Sequence, residues 1–176
     1  MDAITLLKDD HKTVEKLFKQ FEKLGHDGDP AKKRELVDSM IHELAVHAHI
    51  EEQLFYPAVR AEVPAEEDMV LEGLEEHHIV KWTLSELDGL SPTAERFDAK
   101  VTVLMESVRH HVEEEEDEMF PGVRKAMGRK KLQELGEKLQ AAKVSAPTKP
   151  RPQAPDTPTR KPARGRAKAS AKASAK

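Results

Sequence analysis

Two stretches of the chain, "HAHIEEQLFYP" from His47 to Pro57 and "HVEEEEDEMFP" from His111 to Pro121, repeat one arrangement of metal-binding side chains. In each, a glutamate follows the histidine by four residues (Glu51, Glu115), a second glutamate adjoins it (Glu52, Glu116), and a proline stands ten residues after the histidine. Four residues is about one turn of an α-helix, so imidazole and carboxylate share a face. A single such pair carries little weight in a chain with 33 acidic residues. Two further histidines change the argument. His11 falls between Leu7 and Val14, and His77 between Leu74 and Val80, at helical steps that turn both toward an apolar interior. Four inward imidazoles and two inward carboxylates are costly to bury unpaired, and a pair of cations satisfies all six: imidazoles bind them terminally, and carboxylates from opposite helices bridge them. The chain has no cysteine, which limits any metal to nitrogen and oxygen ligands; iron fits best, ahead of manganese or zinc.

The elements that must position these residues are helices. Apolar residues recur with helical period in four segments: Ile4 to Leu24, about Ala31 to Phe55, about Glu66 to Leu87, and from near Thr93–Glu95 to Met119. "GHDGDP" and "DGLSP" stop the first and third, and Pro57 predicts a kink or break in the second. Short connections between long amphipathic helices predict an all-α, up-down-up-down four-helix bundle, with a short fifth helix carrying Leu132, Leu135 and Leu139 packed on its end. The apolar pattern after His11 (Val14, Phe18, Phe21, Leu24) matches that after His77 (Val80, Leu84, Leu87, Leu90), as in a duplicated helical hairpin.

With these residues in place, the chain resembles the hemerythrin-like HHE cation-binding family. The family's order of a histidine, histidine-x-x-x-glutamate, a histidine and histidine-x-x-x-glutamate appears as His11, His47/Glu51, His77 and His111/Glu115, over about residues 1–127. The resemblance implies a bundle holding two iron ions in an oxo- or hydroxo-bridged di-iron centre, with dioxygen, peroxide or nitric oxide as ligand, or a role in sensing or delivering iron. Oxygen-carrying hemerythrins have a further histidine four residues after the third-helix one. Here that position is Lys81, so reversible oxygen carriage does not carry over. Two readings of Lys81 stand: a donor to a bound oxygen species, and, favoured, a solvated side chain. His110 with Glu114 competes with His111 and Glu115 for the inward position, and the alignment of the two prolines favours the latter. His49, His78 and His110, with Glu52 and Glu116, are expected on the surface or behind a ligand, and Trp82 is expected to pack.

Composition bounds the rest. Residues 1–143 carry 20 basic against 32 acidic residues, and 144–176 carry nine basic against Asp156 alone, so an acidic body of −12 is joined to a basic tail of +8. The tail, rich in Pro, Ala, Lys and Ser with no large apolar residue after Val144, is expected to be disordered and to suit non-specific binding to DNA or another polyanion. No apolar run is long enough to span a bilayer and the first residues lack a secretory pattern, which predicts a cytoplasmic protein without a membrane partner. No phosphate-cradling loop or nucleophile signature appears, so no catalytic residue is assigned apart from the metal ligands.

Overall fold

Asp2 starts the first helix, α1 (Ala3–Leu24), by accepting the Thr5 backbone amide at 2.9 Å and so occupying a donor that a helix N-terminus leaves free. Asp29 caps α2 (Pro30–Ile50) in the same way through the Ala31 amide, with Pro30 in the first turn, where its missing N–H is not needed. The computed structural model describes residues 1–151 and continues with α3 (Tyr56–Glu62), α4 (Glu67–Asp88), α5 (Phe97–Glu114) and α6 (Phe120–Lys143); among the described residues there is no strand. The expected four-helix bundle is built from α1, α2 with α3, α4, and α5 with the start of α6. None of the described helices is long and apolar enough to cross a membrane.

The prolines do not interrupt the bundle. A five-residue π-helical turn precedes each of them, Glu51–Phe55 before Tyr56-Pro57 and Glu115–Met119 before Phe120-Pro121. The Tyr56 amide reaches back five residues to the Glu51 carbonyl, and the Phe120 amide to that of Glu115. The wider turn relieves the clash between the proline ring and the preceding carbonyls, so an α-helix restarts with proline in its first turn. This is why the break expected at Pro57 is absent, and why the fifth helix begins at Phe120 as a continuation of the fourth.

The core lies in two apolar layers. One gathers Val14, Phe18, Phe21, Val80, Leu84 and Leu87, the matching residues of the two hairpin halves, with Leu44, Leu104 and Val108. The other joins Ile4 and Leu7 to Ile50, Phe55, Tyr56, Met119 and Phe120. Gly128, at φ 72° and ψ 170°, bends α6 so that its second half seats the predicted Leu132, Leu135 and Leu139 in this second layer. Trp82 does not pack as expected: it stands on α4 with 52% of its surface exposed. Of the segment assigned to the tail by composition, Val144 to Arg151 is described; Ala146 is buried, and Lys149 Nζ pairs with Asp88 at 2.9 Å. The remaining tail residues, 152–176, and the disorder expected of them, lie outside the described residues.

Gly136 is where α6 meets the N-terminus of α1. A Cβ added there would stand 2.8 Å from the Ala3 nitrogen and the Asp2 carbonyl carbon, both backbone atoms that cannot turn aside. Gly136→Ala should therefore destabilise the protein by about 1–3 kcal/mol in urea unfolding, although alanine is the better helix former.

Candidate metal centre

The six predicted residues come together between the two apolar layers. His11 of α1, His47 of α2, His77 of α4 and His111 of α5 are all buried, as are Glu51 and Glu115, each the first residue of a π-helical turn. Their inner atoms form a closed ring. His11 Nε2 lies 3.2 Å from His47 Nε2, which lies 3.1 Å from Glu51 Oε2. The same Glu51 oxygen is 3.3 Å from His77 Nε2, and His77 Nε2 is 3.2 Å from His111 Nε2. Glu115 Oε2 closes the circuit, 3.7 Å from His111 and 3.4 Å from His11. Each carboxylate thus reaches one imidazole of both pairs. Two groups of potential ligand atoms lie within 4.8 Å of one another: His11, His47, Glu51 and Glu115, and Glu51, His77 and His111.

A second ring of carboxylates fixes the imidazoles from behind. Glu116 meets His11 Nδ1 at 2.8 Å, Glu52 meets His77 Nδ1 at 3.1 Å, and Glu76 meets His111 Nδ1 at 2.6 Å. Asp10 stands 3.5 Å from His47 Nδ1, close enough for an ion pair without a well-formed hydrogen bond. A carboxylate facing Nδ1 holds the proton there and turns the Nε2 lone pair inward. The arrangement is duplicated: the acids preceding the first histidine of each half (Asp10, Glu76) serve the second histidine of that half, and the acids following Glu51 and Glu115 serve the first histidine of the other half. Three of the four also meet a lysine: Glu116 pairs with Lys8 at 2.9 Å, Glu52 with Lys81 at 2.8 Å, and Asp10 with Lys143. Lys81 is therefore not the solvated side chain favoured by the sequence but a largely buried counter-ion two steps behind His77.

These contacts create a demand for positive charge. Burial opposes ionisation of His47, but the Glu51 charge and the Asp10 carboxylate outweigh it and raise its pKa to about 10. Burial likewise opposes a charged His77, which Glu51 and Glu52 raise to about 9. Burial would raise the Glu51 pKa, yet the two imidazoles hold it well below the usual carboxylate range. Even so, neither Glu51 oxygen nor Glu115 Oε2 has a hydrogen-bond donor, and the Nε2 atoms of each pair face one another at 3.2 Å. Imidazole nitrogens at that distance either share a proton or meet through a positive centre lying among them. Carboxylate oxygens left without donors beside two facing pairs of imidazole nitrogens fit a pair of cations.

One residue that spacing alone did not single out breaks the symmetry. The Tyr56 hydroxyl donates to Glu115 Oε1 at 2.9 Å and lies 3.5 Å from His111 Nε2, and its ring packs on His77 with centroids 5.5 Å apart. Its counterpart, Phe120, stacks on His11 and has no hydroxyl to offer Glu51. The signal was present in the quoted motifs, which read Tyr-Pro in one and Phe-Pro in the other. His78 and His110 are exposed and His49 is half-buried. On the side away from Tyr56, a cavity of about 20 Å3 is enclosed by the four imidazoles with Val14, Leu44, Val80 and Val108. Beyond it a cleft of about 440 Å3 opens between α1 and α5; His11, Val14, Val108 and Val112 line both spaces.

A four-helix bundle that buries a ring of imidazoles and carboxylates between two apolar layers defines a cation-binding protein of the hemerythrin type. The chain belongs to the hemerythrin family: the Hemerythrin HHE cation binding domain matches residues 2–123. Among solved structures, an HHE cation-binding-domain protein from Mycobacterium kansasii is similar, with a TM-score of 0.69 and 25% identity over 82% of this chain and 86% of that one. An uncharacterized hemerythrin-like protein of Schizosaccharomyces pombe is 26% identical over 85% of this chain and 72% of its own length. A protein of Nostoc sp. named DNA nickase is 28% identical over 81% of this chain, which spans only 39% of that relative.

Removing the Tyr56 hydroxyl leaves a buried Glu115 oxygen without its donor. Tyr56→Phe should lower the stability of the demetallated protein by about 1–3 kcal/mol, measured by urea unfolding.

Proposed function

We propose that His11, His47, Glu51, His77, His111 and Glu115 hold two iron ions, and that the centre binds or turns over dioxygen, peroxide or nitric oxide in the response to oxidative or nitrosative stress. The observation that carries this reading is the ring in which both carboxylates, short of donors, stand between the two histidine pairs. Bound there, iron supplies Lewis acidity and electrons for small oxidants. The chain's own residues do the rest. The outer carboxylates hold each Nδ1 proton so that no imidazole swings its lone pair away. Tyr56 holds one oxygen of Glu115 and leaves the other toward the ring. The cavity beside the imidazoles has room for about one water-sized molecule. Its valine and leucine walls keep bulk water out, and the wall shared with the α1/α5 cleft is a path from solvent.

The test is metal content together with substitution. Anaerobically reconstituted protein should hold about two iron ions per chain by elemental analysis, and Glu51→Ala should lose both, because one carboxylate serves both positions. His78→Ala should lose neither. Stoichiometric zinc with no iron would overturn the assignment of iron, and loss of a single ion in Glu51→Ala would overturn the bridging role.

A second reading, iron handling or sensing at DNA, is favoured by the charge division of the chain and by the similarity to a relative named DNA nickase. In this reading residues 1–143 form the bundle domain and 144–176 supply the polyanion contact. Residues 152–176 alone carry seven basic residues against Asp156. Full-length protein should bind duplex DNA without sequence preference at low salt, with affinity falling steeply as salt rises, and a chain ending at Arg151 should not. Equal binding by the two in an anisotropy titration would remove this reading.

A further inference from the structure

α5 carries two histidine-glutamate pairs side by side, and only one enters the buried ring. His111 and Glu115 face inward. His110 and Glu114, each one residue earlier, stand one turn apart on the outside, with His110 Nε2 3.3 Å from Glu114 Oε1. Glu76 of α4 completes a second constellation: its Oε1 lies 3.9 Å from His110 Nε2, while its Oε2 holds His111 Nδ1 at 2.6 Å. Potential ligand atoms of Glu76, His110 and Glu114 lie within 4.8 Å of one another. One imidazole and two carboxylates from two helices suit a divalent first-row cation. With the His110 side chain 63% exposed, water can complete its coordination.

A second feature lies directly inward of this cluster and shares Glu76 and Glu114 with it. A crevice of about 10 Å3 is lined by Glu72, Gly73, Glu76 and Glu114 on its outer side and by His111 and Glu115 on its inner side. It has room for about one water-sized particle. At its inner end stands Glu115, 2% exposed, whose Oε2 turns onward to the buried ring and has no donor there. Gly73 keeps the passage open: a Cβ there would stand 2.9 Å from the Tyr56 hydroxyl and 3.4 Å from His111 Cε1.

We propose that Glu76, His110 and Glu114 form a third, surface site for a divalent first-row cation, and that a cation captured there passes beside Gly73 into the buried ring. The transfer rests on the proposed metal occupancy of that ring; the surface site does not. Glu76 links the two positions, with one oxygen toward His110 and the other on the imidazole of His111. Carboxylates on both sides of the crevice concentrate cations at its mouth and lower the cost of shedding water stepwise. The α1/α5 cleft, lined by Lys12 and Arg109 as well as Glu15, Glu113, Glu116 and Asp117, opens instead on His11 at the other histidine pair.

The experiment titrates demetallated full-length protein with cobalt(II) alone, counting bound ions by equilibrium dialysis and following ring filling by stopped-flow visible absorption. Wild type should bind a third, weaker ion beyond those in the ring. His110→Ala and Glu114→Gln should each lose that ion and fill the ring about ten-fold more slowly, to the same final buried stoichiometry. Retention of the third ion in both variants overturns the surface site. Loss of the third ion with unchanged filling rates overturns the transfer and leaves the site. Loss of the tightly held ions in His110→Ala would place His110 in the buried centre and overturn the division into two sites. If wild type binds only the weak ion, the buried reading and the transfer both fail, while the surface site stands.

Discussion

Glu51 is fully buried, and neither of its oxygens meets a hydrogen-bond donor. An ionised carboxylate in an apolar interior costs several kcal/mol unless opposite charge lies close by, and in this bundle that charge must come from the imidazoles or from a cation among them. Much of the surrounding architecture answers this constraint. The two apolar layers seal the ring from both ends, and each imidazole is turned inward by a carboxylate behind it. Three of those carboxylates meet a lysine in turn. Charge therefore alternates outward from the centre: carboxylate, imidazole, carboxylate, lysine. Burying such a network is tolerable because each group has an oppositely charged or hydrogen-bonding neighbour, although three of the ring oxygens lack a donor.

The duplication supplies two equivalent half-sites, and Tyr56 makes them inequivalent. His111 lies beside the Tyr56 hydroxyl and His77 beside its ring, whereas His11 stacks on Phe120 and lines the α1/α5 cleft. The two ring carboxylates differ accordingly: Glu115 has one oxygen held by a donor, and Glu51 has neither. The repeat thus has one hydrogen-bonding side and one accessible side, an asymmetry suited to any chemistry in which a small ligand approaches from a single direction.

Much of this was legible in the sequence, for a physical reason. A histidine with leucine and valine at helical steps on either side must share their face, so the inward direction of His11, His47, His77 and His111 followed from period alone. The choice of His111 over His110 needed the second motif as a ruler. What was not legible depended on contacts between helices. Nothing local tells that Asp10 will meet His47 or that Glu52 will cross to His77, though the acids preceding both His11 and His77 stand out once the halves are superposed. Lys33 shows the same limit. It is buried at 3% exposure because Asp98 and the His26 carbonyl, far away along the chain or across a turn, each accept from its ammonium at 2.7 Å. The π-helical turns were hidden for another reason: a proline reads locally as a breaker, and only the shift of backbone hydrogen bonds over a whole turn shows how it is absorbed.

Those two turns also share one construction. Each is an α-helix with one residue too many, and removing that residue would restore the commoner, better-bonded helix while rotating everything beyond it by about 100°. The surplus residue occurs at the same place in both halves, beginning at the carboxylate that faces the ring. The irregularity thus belongs to the repeat rather than to either half, and it sets the rotation at which both glutamates come face to face across the bundle.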